Sequence, residues 1–416
     1  MREKIIDSSI NNGSPVESLI ADAGIAAVSE QTAGQILLPR GTTLWQRLRQ
    51  ALDEMALVAG YEGFVFPQAQ GEEEPRLAPF SLDSLNTVVR ILKGAPVRAS
   101  LWRSGTPPTE HHIYTVRKSA GETEEDAYTL LDLQRRYFEE ILAIPALAGA
   151  IPAGQKGDRS TAYALDQITG AGVVLRLAES SVLAAGATEG QEAIHHGAIT
   201  SDLIPALLLA HLREGLPVFP PRVAPEQVVI IPVLPSKRRL EITKLAHQIR
   251  SSLRREVRLA LDESTISTTE EKQLLWAKRG APVQILIGEE DLDHRQVALL
   301  RRDTGAREVI SVNFLADRIK LMLTEIQDSL LEGAFKQREE MLLEPETLEE
   351  LTRSLGNAPG YALAAWDGTD ESAAMIREKT GLGVRLLPFG AEAEAIGRNC
   401  IASGKEARFA AILAGV

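Results

Sequence analysis

The sequence predicts a multidomain protein that combines α/β and α+β architecture. The chain has 416 residues, enough for roughly two to four domains with buried cores. Two adjacent prolines in the segment 219–225 prevent regular pairing and predict a stiff boundary between domains. Beyond it, the apolar run 228–234 predicts a strand buried on both faces. Helical and strand patterns then alternate, which is typical of an α/β sandwich.

The composition is that of an ordinary globular protein, with 44% apolar and 25% charged residues. The net charge of −12 disfavours a broad basic surface for nucleic acid, because phosphate binding draws on lysine and arginine. A single cysteine, Cys400, excludes an internal disulfide and is typical of a reducing compartment. There is no apolar run of membrane length, and the first residues are too polar for a signal peptide. We therefore predict a cytoplasmic protein without a membrane partner.

The amino-terminal half begins with a mixed segment over 1–35, which predicts an arm and a short helix. A longer helix is predicted over about 42–60, because leucines recur on one stripe and glycine commonly follows a helix. The stripe includes Leu44, Leu48 and Leu52. The run 63–67 then predicts a strand. A second helix is predicted to start at Thr123, since threonine caps helices and acidic residues favour the first turn.

The second half predicts further elements by the same periodicities. Strands are predicted near 257–261, 282–287, 297–300 and 308–312. Helices are predicted up to about 253, over 270–277 and over 314–340. A last α+β segment ends the chain.

Several stretches resemble one enzyme family. The segment 276–288, followed by Arg-Arg-Asp-Thr-Gly at 301–305, resembles the anticodon-binding domain of prolyl-tRNA synthetase of the archaeal and eukaryotic type. The segment 215–233 resembles that family's junction between catalytic and anticodon-binding domains. The resemblance implies four parts: an amino-terminal arm (1–35), an antiparallel class II aminoacyl-tRNA synthetase-like core (36–220), an α/β anticodon-binding-like domain (222–330) and a small α+β carboxy-terminal domain (331–416).

Residues 34–67 resemble motif 1 of class II synthetases, a long helix and a strand closed by a proline. In the family this element builds the homodimer interface. The resemblance therefore implies a homodimer whose interface includes Leu44, Leu48, Leu52 and Pro67. The alternative interpretation is an ordinary amphipathic helix and strand.

The amino-acid pocket of the family carries Arg-Pro-Thr-Ser-Glu, which holds the ammonium group of the substrate. The corresponding stretch here is 78–82, where Phe80 replaces the hydroxyl and Leu82 the carboxylate. A buried ammonium group needs an anion or several acceptors, and these side chains supply neither. The resemblance implies that this pocket does not bind proline as the family does.

The ATP-binding motifs are altered as well. Motif 2 keeps Arg103, which in the family contacts the α-phosphate, but Gly105 takes the place of a glutamate. Motif 3 has Asp202 where the family has an arginine beside the γ-phosphate. An anion in place of a cation reverses the electrostatic interaction with a triphosphate. We therefore assign no catalytic residue, and treat Arg103 as a remnant phosphate contact.

The anticodon-binding-like domain has lost a base-reading cation. The family's Gly-Pro-Arg-Asp corresponds to 288–291, so Glu290 stands where an arginine is expected. A carboxylate cannot donate to a guanine edge. Five basic residues remain as candidate RNA contacts: Lys237, Arg238, Arg239, Arg301 and Arg302. The alternative interpretation is a solvated helix start and a buried ion pair.

The carboxy-terminal segment resembles the family's zinc domain without its ligands. The four cysteine positions correspond to Asp367, Ser372, Cys400 and Ser403. A closed structural zinc site takes four ligands, usually thiolate or imidazole. We therefore predict no metal, and expect Cys400 to be a small buried hydrophobe.

Two histidine pairs are the other conceivable metal ligands: His111 with His112, and His195 with His196. For the first pair we predict a solvated loop, because no cysteine or histidine pair accompanies it at a fixed spacing. The second pair, taken alone, is weak support for a metal.

Three functions follow from these residues. The leading hypothesis is a noncatalytic prolyl-tRNA synthetase-like homodimer, a regulatory or accessory subunit for a protein or RNA partner. It would bind tRNA weakly at most and use no cofactor. The second is a repurposed class II ligase that activates another small molecule or acylates a non-tRNA acceptor, using ATP and Mg²⁺. The third, an authentic proline-tRNA ligase, is disfavoured by the altered sites.

Overall fold

The computed structural model describes most of the chain in two compact units. The described residues are 15–29, 34–63, 97–103, 110–117, 120–155, 159–170, 174–183, 193–199, 203–234, 236–356 and 360–415. The first unit draws on 1–50, 140–144 and 207–334, and the second on 51–139, 145–206 and 335–416.

Helices and strands have the following bounds. The described helices are α1 (Pro15–Asp22), α2 (Pro39–Val58), α3 (Ala120–Arg136), α4 (Leu203–Ala210), α5 (Arg239–Leu253), α6 (Thr269–Lys278), α7 (Glu289–His294), α8 (Leu315–Glu340), α9 (Leu348–Leu355), α10 (Asp370–Thr380) and α11 (Ala391–Ala395). The described strands are β1 (Ala26–Ser29), β2 (Gly34–Leu37), β3 (Glu62–Gly63), β4 (Val97–Arg103), β5 (Glu110–Arg117), β6 (Leu147–Ala150), β7 (Arg159–Ile168), β8 (Val174–Leu183), β9 (Ala193–Ile199), β10 (Leu212–Arg213), β11 (Leu216–Pro217), β12 (Val228–Pro232), β13 (Leu259–Leu261), β14 (Val283–Ile287), β15 (Gln296–Arg301), β16 (Arg307–Ser311), β17 (Leu342–Leu343), β18 (Tyr361–Trp366), β19 (Leu382–Pro388) and β20 (Phe409–Gly415).

The first unit is built on a five-stranded sheet in the order β13-β12-β14-β15-β16. The central β12 runs parallel to β13 and β14, and every one of its residues is buried. Strands β15 and β16 extend the sheet in antiparallel fashion. Helices α5 and α8 contribute Ile242, Ile249, Ile319 and Ile326 to the same apolar core. The predicted α/β arrangement of this part of the chain is confirmed.

Gly280, which follows α6, has a conformation that few other residues adopt. Its φ is +76°, and an added Cβ would lie 2.6 Å from Cδ2 of Phe219. The amide of Phe219 also donates to the carbonyl of Gly280 at 2.9 Å. The double-proline segment is therefore fastened directly to the α/β sheet's second helix, and a side chain at 280 would separate them.

The second unit is built on an eleven-stranded, mostly antiparallel sheet in the order β17-β18-β20-β19-β6-β7-β8-β9-β5-β4-β3. The join between β19 and β6 pairs Leu387 with Ala150 and Pro388 with Gly149. A Cβ on Gly149 would lie 2.6 Å from the Leu387 carbonyl oxygen, so this close approach requires glycine. The predicted boundary at 331 therefore needs correction, because strands from both sides of it form one sheet.

Helix α3 packs on one face of this sheet. Its Leu130 lies over Gly197 of β9, where an added Cβ would come within 2.2 Å of a leucine methyl carbon. The Ser180 hydroxyl of β8 donates to the Ala127 carbonyl at 2.9 Å. The helix starts at Ala120, three residues before the predicted cap, and Thr123 is buried within its first turn. The cap prediction is wrong because the helix starts one turn earlier than the acidic run suggests.

No helix in the part of the chain that the structure describes is long and apolar enough to cross a membrane.

Candidate functional site

Two adjacent strands bring the two histidine pairs together. In the antiparallel register of β5 and β9, Tyr114 lies opposite His196 and Thr115 lies opposite His195. His111, His112 and His195 are buried. The prediction of a solvated loop at 111–112 is therefore wrong, because these residues are buried in β5, a strand paired on both sides by β9 and β4.

One histidine of each pair faces α3. Their Nε2 atoms lie 2.8 Å from serine hydroxyls: His111 from Ser100, and His195 from Ser180. Burial lowers the pKa of His195 to about 4, and the charge of Asp126 opposes that shift only in part. His195 is accordingly neutral near pH 7 and serves the packing beneath the helix.

The opposite face of the sheet, away from α3, carries a second group of polar side chains. We call it the polar face, defined by His112, Asp166, Arg176, Glu179 and His196. Residues alternate between the faces of a strand, so Glu179 and His196 point away from the α3-facing Ser180 and His195. The rings of His112 and His196 stack at 5.3 Å, with Nδ1 of the first 3.1 Å from Nε2 of the second.

The remaining part of the polar face is a chain of ion pairs. Arg176 contacts Asp166 at 2.5 Å and Glu179 at 2.8 Å. Arg385 of β19 contacts the other Asp166 oxygen at 3.3 Å. Two cations thus face two carboxylates, with Asp166 almost fully buried between the guanidinium groups. These arginines are occupied by internal partners, which leaves them poorly suited to a phosphate group.

Of the residues that correspond to the family's catalytic motifs, Arg103 lies within the described residues and the altered positions do not. Arg103 ends β4, at the edge of the sheet region that carries the polar face, and its partner across the strand pair is Glu110. Four predicted positions, Phe80, Leu82, Gly105 and Asp202, lie outside the described residues, as does Pro67 of the predicted dimer interface.

The leucine stripe of α2 does not form an interface surface. Leu44, Leu48 and Leu52 are all 0% exposed in the single chain. A side chain without accessible surface cannot contact a second copy. The prediction that these three residues line the dimer interface is therefore corrected: the stripe belongs to the interior of its own chain.

The start of α5 and the start of α7 meet at the carboxyl ends of the parallel strands in the first unit. Glu289 accepts hydrogen bonds from the Ser236 hydroxyl at 2.5 Å and the Lys237 amide at 3.0 Å. These bonds lower the pKa of Glu289. Arg238 is held by Glu241 at 2.8 Å and Asp293 at 2.7 Å. Lys237 and Arg239 are exposed here.

The other two candidate RNA contacts lie at the end of β15. Arg301 pairs with Asp303 at 2.7 Å and with Glu325 at 2.8 Å, and the Asp303 side chain is completely buried. Arg302 is half-buried, and its Nε and Nη2 atoms have no hydrogen-bond partner among the described residues. Burial lowers the pKa of Arg302, with partial compensation by Glu214. Of the five candidates, the structure therefore brings Lys237, Arg238 and Arg239 together and places Arg301 and Arg302 apart from them, with Arg301 held in ion pairs.

Three of the four positions that correspond to the zinc cysteines, Asp367, Ser372 and Ser403, meet at the Asp367 carboxylate. Asp367 accepts from the Ser372 hydroxyl at 2.5 Å and from the Ser403 hydroxyl at 2.6 Å. Thr369 donates to it through both its amide, at 3.1 Å, and its hydroxyl, at 2.8 Å. Burial raises the pKa of Asp367, but these hydrogen bonds outweigh burial and lower it to about 2. Cys400 is buried in the neighbouring apolar cluster, as predicted.

Two family models match the chain where the structure shows the α/β sheet and the carboxy-terminal segment. Residues 227–321 match an anticodon-binding domain, and residues 348–415 match the carboxy-terminal domain of prolyl-tRNA synthetase.

Curated relatives match most of the chain. Proline--tRNA ligase 2 of Clostridioides difficile (strain 630) is 31% identical over 332 residues, which cover 76% of this chain and 66% of the relative. Proline--tRNA ligase of Rubrobacter xylanophilus (strain DSM 9941) is 30% identical over 331 residues, covering 74% and 66%. The corresponding ligase of Clostridium botulinum (strain Loch Maree / Type A3) is 29% identical, covering 74% and 65%.

The chain is a prolyl-tRNA synthetase-like protein. Its mixed α/β architecture and mostly antiparallel sheet agree with a class II synthetase-like fold. The chain spans a little less than two thirds of the length of these relatives.

Sequence reasoning missed the ion-pair chain of this prolyl-tRNA synthetase-like protein. Asp166 and Arg385 are 219 positions apart, and neither belongs to a family motif that the sequence shows. It also missed the contact between His112 and His196, although two histidine pairs in separate strands were the available signal. Cross-strand contacts depend on register, which periodicity alone does not specify.

Proposed function

We propose that this chain is a noncatalytic prolyl-tRNA synthetase-like protein that acts as a regulatory or accessory subunit. The observation that carries the proposal is Asp202, which stands where the family has an arginine beside the γ-phosphate of ATP. A carboxylate there repels the triphosphate, and the effect is on the order of kilocalories per mole. Phe80 and Leu82 remove the groups that would hold the substrate ammonium.

The geometry of the described part supports this proposal. On the polar face, Arg176 and Arg385 are neutralised by Asp166 and Glu179 rather than presented to a ligand. At the anticodon-type edge, Glu289 is committed to holding the loop before α5. The charged groups on the polar face and Glu289 at this edge thus serve internal contacts.

The fold is well maintained, which indicates that a folded shape still matters. All five residues of β12 are buried and apolar or proline. The polar residue of β14, Gln284, donates from its side-chain amide to the Gln273 carbonyl at 2.9 Å. A surface read by a protein or RNA partner would maintain such a framework without catalysis.

Direct binding measurements test this proposal. Titration calorimetry with ATP and Mg²⁺, with proline, and with both together should show no binding at millimolar ligand. Binding of ATP together with proline would overturn the proposal. The variant Asp202→Arg is the matched comparison, since a gain of ATP binding in that variant would confirm that charge at this position excludes the nucleotide.

The second candidate is a repurposed class II ligase for another acid. It is favoured by Arg103, the retained motif 2 arginine, and by the names of the relatives, which are given as proline-tRNA ligases. Only this candidate requires ATP and Mg²⁺. ATP binding that depends on an amino acid other than proline would support it over the noncatalytic proposal.

The homodimer is part of the proposal and rests on the resemblance of residues 34–67 to motif 1. The buried leucine stripe restricts where its interface lies. On the same helix α2, Leu57 and Val58 are 67% and 91% exposed. An isologous interface at this end of the helix is consistent with a two-fold homodimer. Light scattering at micromolar protein should give the mass of two chains, and the mass of one chain would contradict it.

A further inference from the structure

A cleft with a cationic lining opens in the first unit at the amino end of the parallel strands. Its volume is about 460 Å³, within the usual range for ligand sites. It is lined by His247, Arg250, Ser251, Arg254, Val257, Arg258 and Leu259. Because α5 returns from the carboxyl ends of the strands, its last turn and the residues before β13 meet at this edge. The cleft is therefore at the opposite edge of the sheet from Glu289 and Lys237.

Arg258 is fixed rigidly in the wall of the cleft. Its Nε donates to the Ala224 carbonyl at 2.8 Å and its Nη2 to the Pro221 carbonyl at 2.7 Å. These carbonyls hold the guanidinium group in place but do not neutralise its charge, and Nη1 has no hydrogen-bond partner among the described residues. Burial, together with the nearby charge of Arg47, lowers the pKa of Arg258 to about 10, and the charge of Glu226 opposes that shift only in part. A preformed, partly desolvated cation next to another cation is a site that an anion would stabilise.

Two further arginines add to the positive charge. Arg250 and Arg254 are exposed, one turn apart along α5 and the residues after it. Neither makes an ion pair with any residue that the structure describes. The favourable interaction of cations with the carboxyl end of a helix is sufficient to explain the positions of Arg250 and Arg254. It does not account for Arg258, which lies outside the helix and points into the same cleft.

The neighbouring carboxylates are already occupied. Glu263 contacts His247 at 3.0 Å, and Glu226 is bound by Arg40 through two guanidinium nitrogens, the closer at 2.6 Å. Glu256 pairs with Lys320 at 2.7 Å. The cleft thus keeps a positive surplus in a chain whose net charge is −12. At the other edge of the sheet negative charge is in excess, since α7 begins with Glu289, Glu290 and Asp291.

We propose that this cleft is a binding site for a phosphate-bearing ligand, held by the fixed guanidinium of Arg258 and the exposed guanidinium groups of Arg250 and Arg254. Arginine suits this ligand because its planar fork can donate two hydrogen bonds to one phosphate. The Ser251 hydroxyl lies at the rim and can supply a further donor. The phosphate groups belong either to a compact polyphosphate or nucleotide or to a nucleic-acid backbone. The site is independent of whether the protein catalyses aminoacylation.

The test is titration calorimetry at about 0.15 M salt with two probes, inorganic tripolyphosphate and a single-stranded RNA of about 12 nucleotides. The test variant is Arg250→Ala/Arg254→Ala, which leaves Arg258 and its backbone contacts intact. The control variant is Arg377→Ala/Lys379→Ala, which removes the same charge from exposed residues in the last turn of α10, in the second unit. Urea unfolding midpoints of both variants establish that each is folded.

We expect the wild-type protein to bind at least one probe, and the test variant to bind it about tenfold more weakly or worse. The control variant should change affinity by less than about twofold. Binding of tripolyphosphate alone identifies a compact ligand, whereas binding of RNA alone identifies a nucleic-acid backbone. Failure of the wild-type protein to bind either probe would overturn the proposal. Equal losses in the test and control variants would also overturn it, because the effect would then reflect total charge rather than the cleft.

Discussion

The Asp367 carboxylate accepts hydrogen bonds from three residues, and it stands at a position that corresponds to a zinc-binding cysteine in the resembled family. Ser372 and Ser403 donate to different oxygens of its carboxylate, and Thr369 donates twice to the first. The Trp366 indole nitrogen also donates to the Ser372 hydroxyl at 2.8 Å, which ties the cluster to the apolar core of the segment. A charged acceptor with several donors can crosslink two loops much as a metal does, although each bond is individually weaker.

The first prediction concerns the charge of Asp367. Its pKa, about 2 in the folded protein, lies below the ordinary value of 3.8. The resulting stability is therefore fully present above about pH 4 and is lost as pH falls through about 2. The pKa difference corresponds to roughly 2 kcal/mol.

The variant Asp367→Asn should lower the free energy of unfolding at pH 7 by about 1–2 kcal/mol and flatten its pH dependence below pH 4. Glu371→Gln, an exposed substitution in the first turn of α10, is the control and should retain the acid dependence. Denaturant unfolding between pH 2.5 and 7 measures both, at roughly half-unit pH intervals. If the stability of Asp367→Asn depends on pH as the wild-type protein does, other carboxylates cause the loss of stability in acid and the prediction is contradicted.

The second prediction restores the metal. Because Ser372 and Ser403 both contact Asp367, the triple variant Asp367→Cys/Ser372→Cys/Ser403→Cys should bind one Zn²⁺ together with Cys400. Four thiolates form the usual closed structural site, and the bound metal should raise the unfolding midpoint. A chelator-displacement assay on the purified variant measures the metal content. The same assay on the variant that also carries Cys400→Ser should show weaker zinc binding. If neither variant holds zinc, the inference that these four positions lie close enough to share one metal ion is contradicted.

Helix α2 illustrates how an element can be predicted correctly and still be assigned the wrong role. Periodicity predicted the helix and its leucine stripe, and the structure shows both. Burial of the stripe within one chain could not be read from periodicity, because an apolar face fits an interior and an interface equally well.

The third prediction follows from that burial. Leu48→Ala should lower the free energy of unfolding by about 2–5 kcal/mol, because it removes buried methyl groups and leaves a cavity. Gln46→Ala, an exposed substitution on the same helix and away from the proposed interface, should change it by less than about 0.5 kcal/mol. Urea unfolding at several protein concentrations measures both. A Leu48→Ala protein that unfolds at the wild-type midpoint but becomes monomeric would restore the interface assignment.

The bounds of the helices and strands in the first unit were predicted to within a few residues, because these elements carry clear local sequence signals. Its strands are short apolar runs between helical patterns, and α6 has a capping box in which Thr268 and Glu271 satisfy each other's amides. In the second unit, buried histidines in β5 and β9 resemble loop residues by composition. The continuous sheet through β19 and β6 depends on one short, distant pairing, which no local pattern reveals.

At the scale of the whole molecule, charge is distributed unevenly. The chain carries 57 acidic and 45 basic side chains, apart from histidine. At the edge of the α/β sheet that would read an anticodon, Arg238 is held by Glu241 and Asp293, and Glu289 and Glu290 are exposed. Net repulsion of phosphate at that edge is the consequence.

The fourth prediction is that any tRNA binding is weak, sensitive to salt and indifferent to the proline anticodon. Carboxylates at 289 and 290 cannot donate to guanine N7 or O6. Competition between proline tRNA and an unrelated tRNA at physiological salt measures the preference. A preference for proline tRNA above about tenfold, roughly 1.4 kcal/mol, would show that specific reading survives.

The central claim is that a synthetase-like framework persists here without the chemistry of proline activation, and proline-dependent pyrophosphate exchange tests it most directly. The assay follows the return of labelled pyrophosphate into ATP, with an authentic proline-tRNA ligase run in parallel and a reaction without proline as background. Asp202, Phe80 and Leu82 predict exchange no faster than that background at millimolar ATP and proline. Proline-dependent exchange well above background would contradict the account.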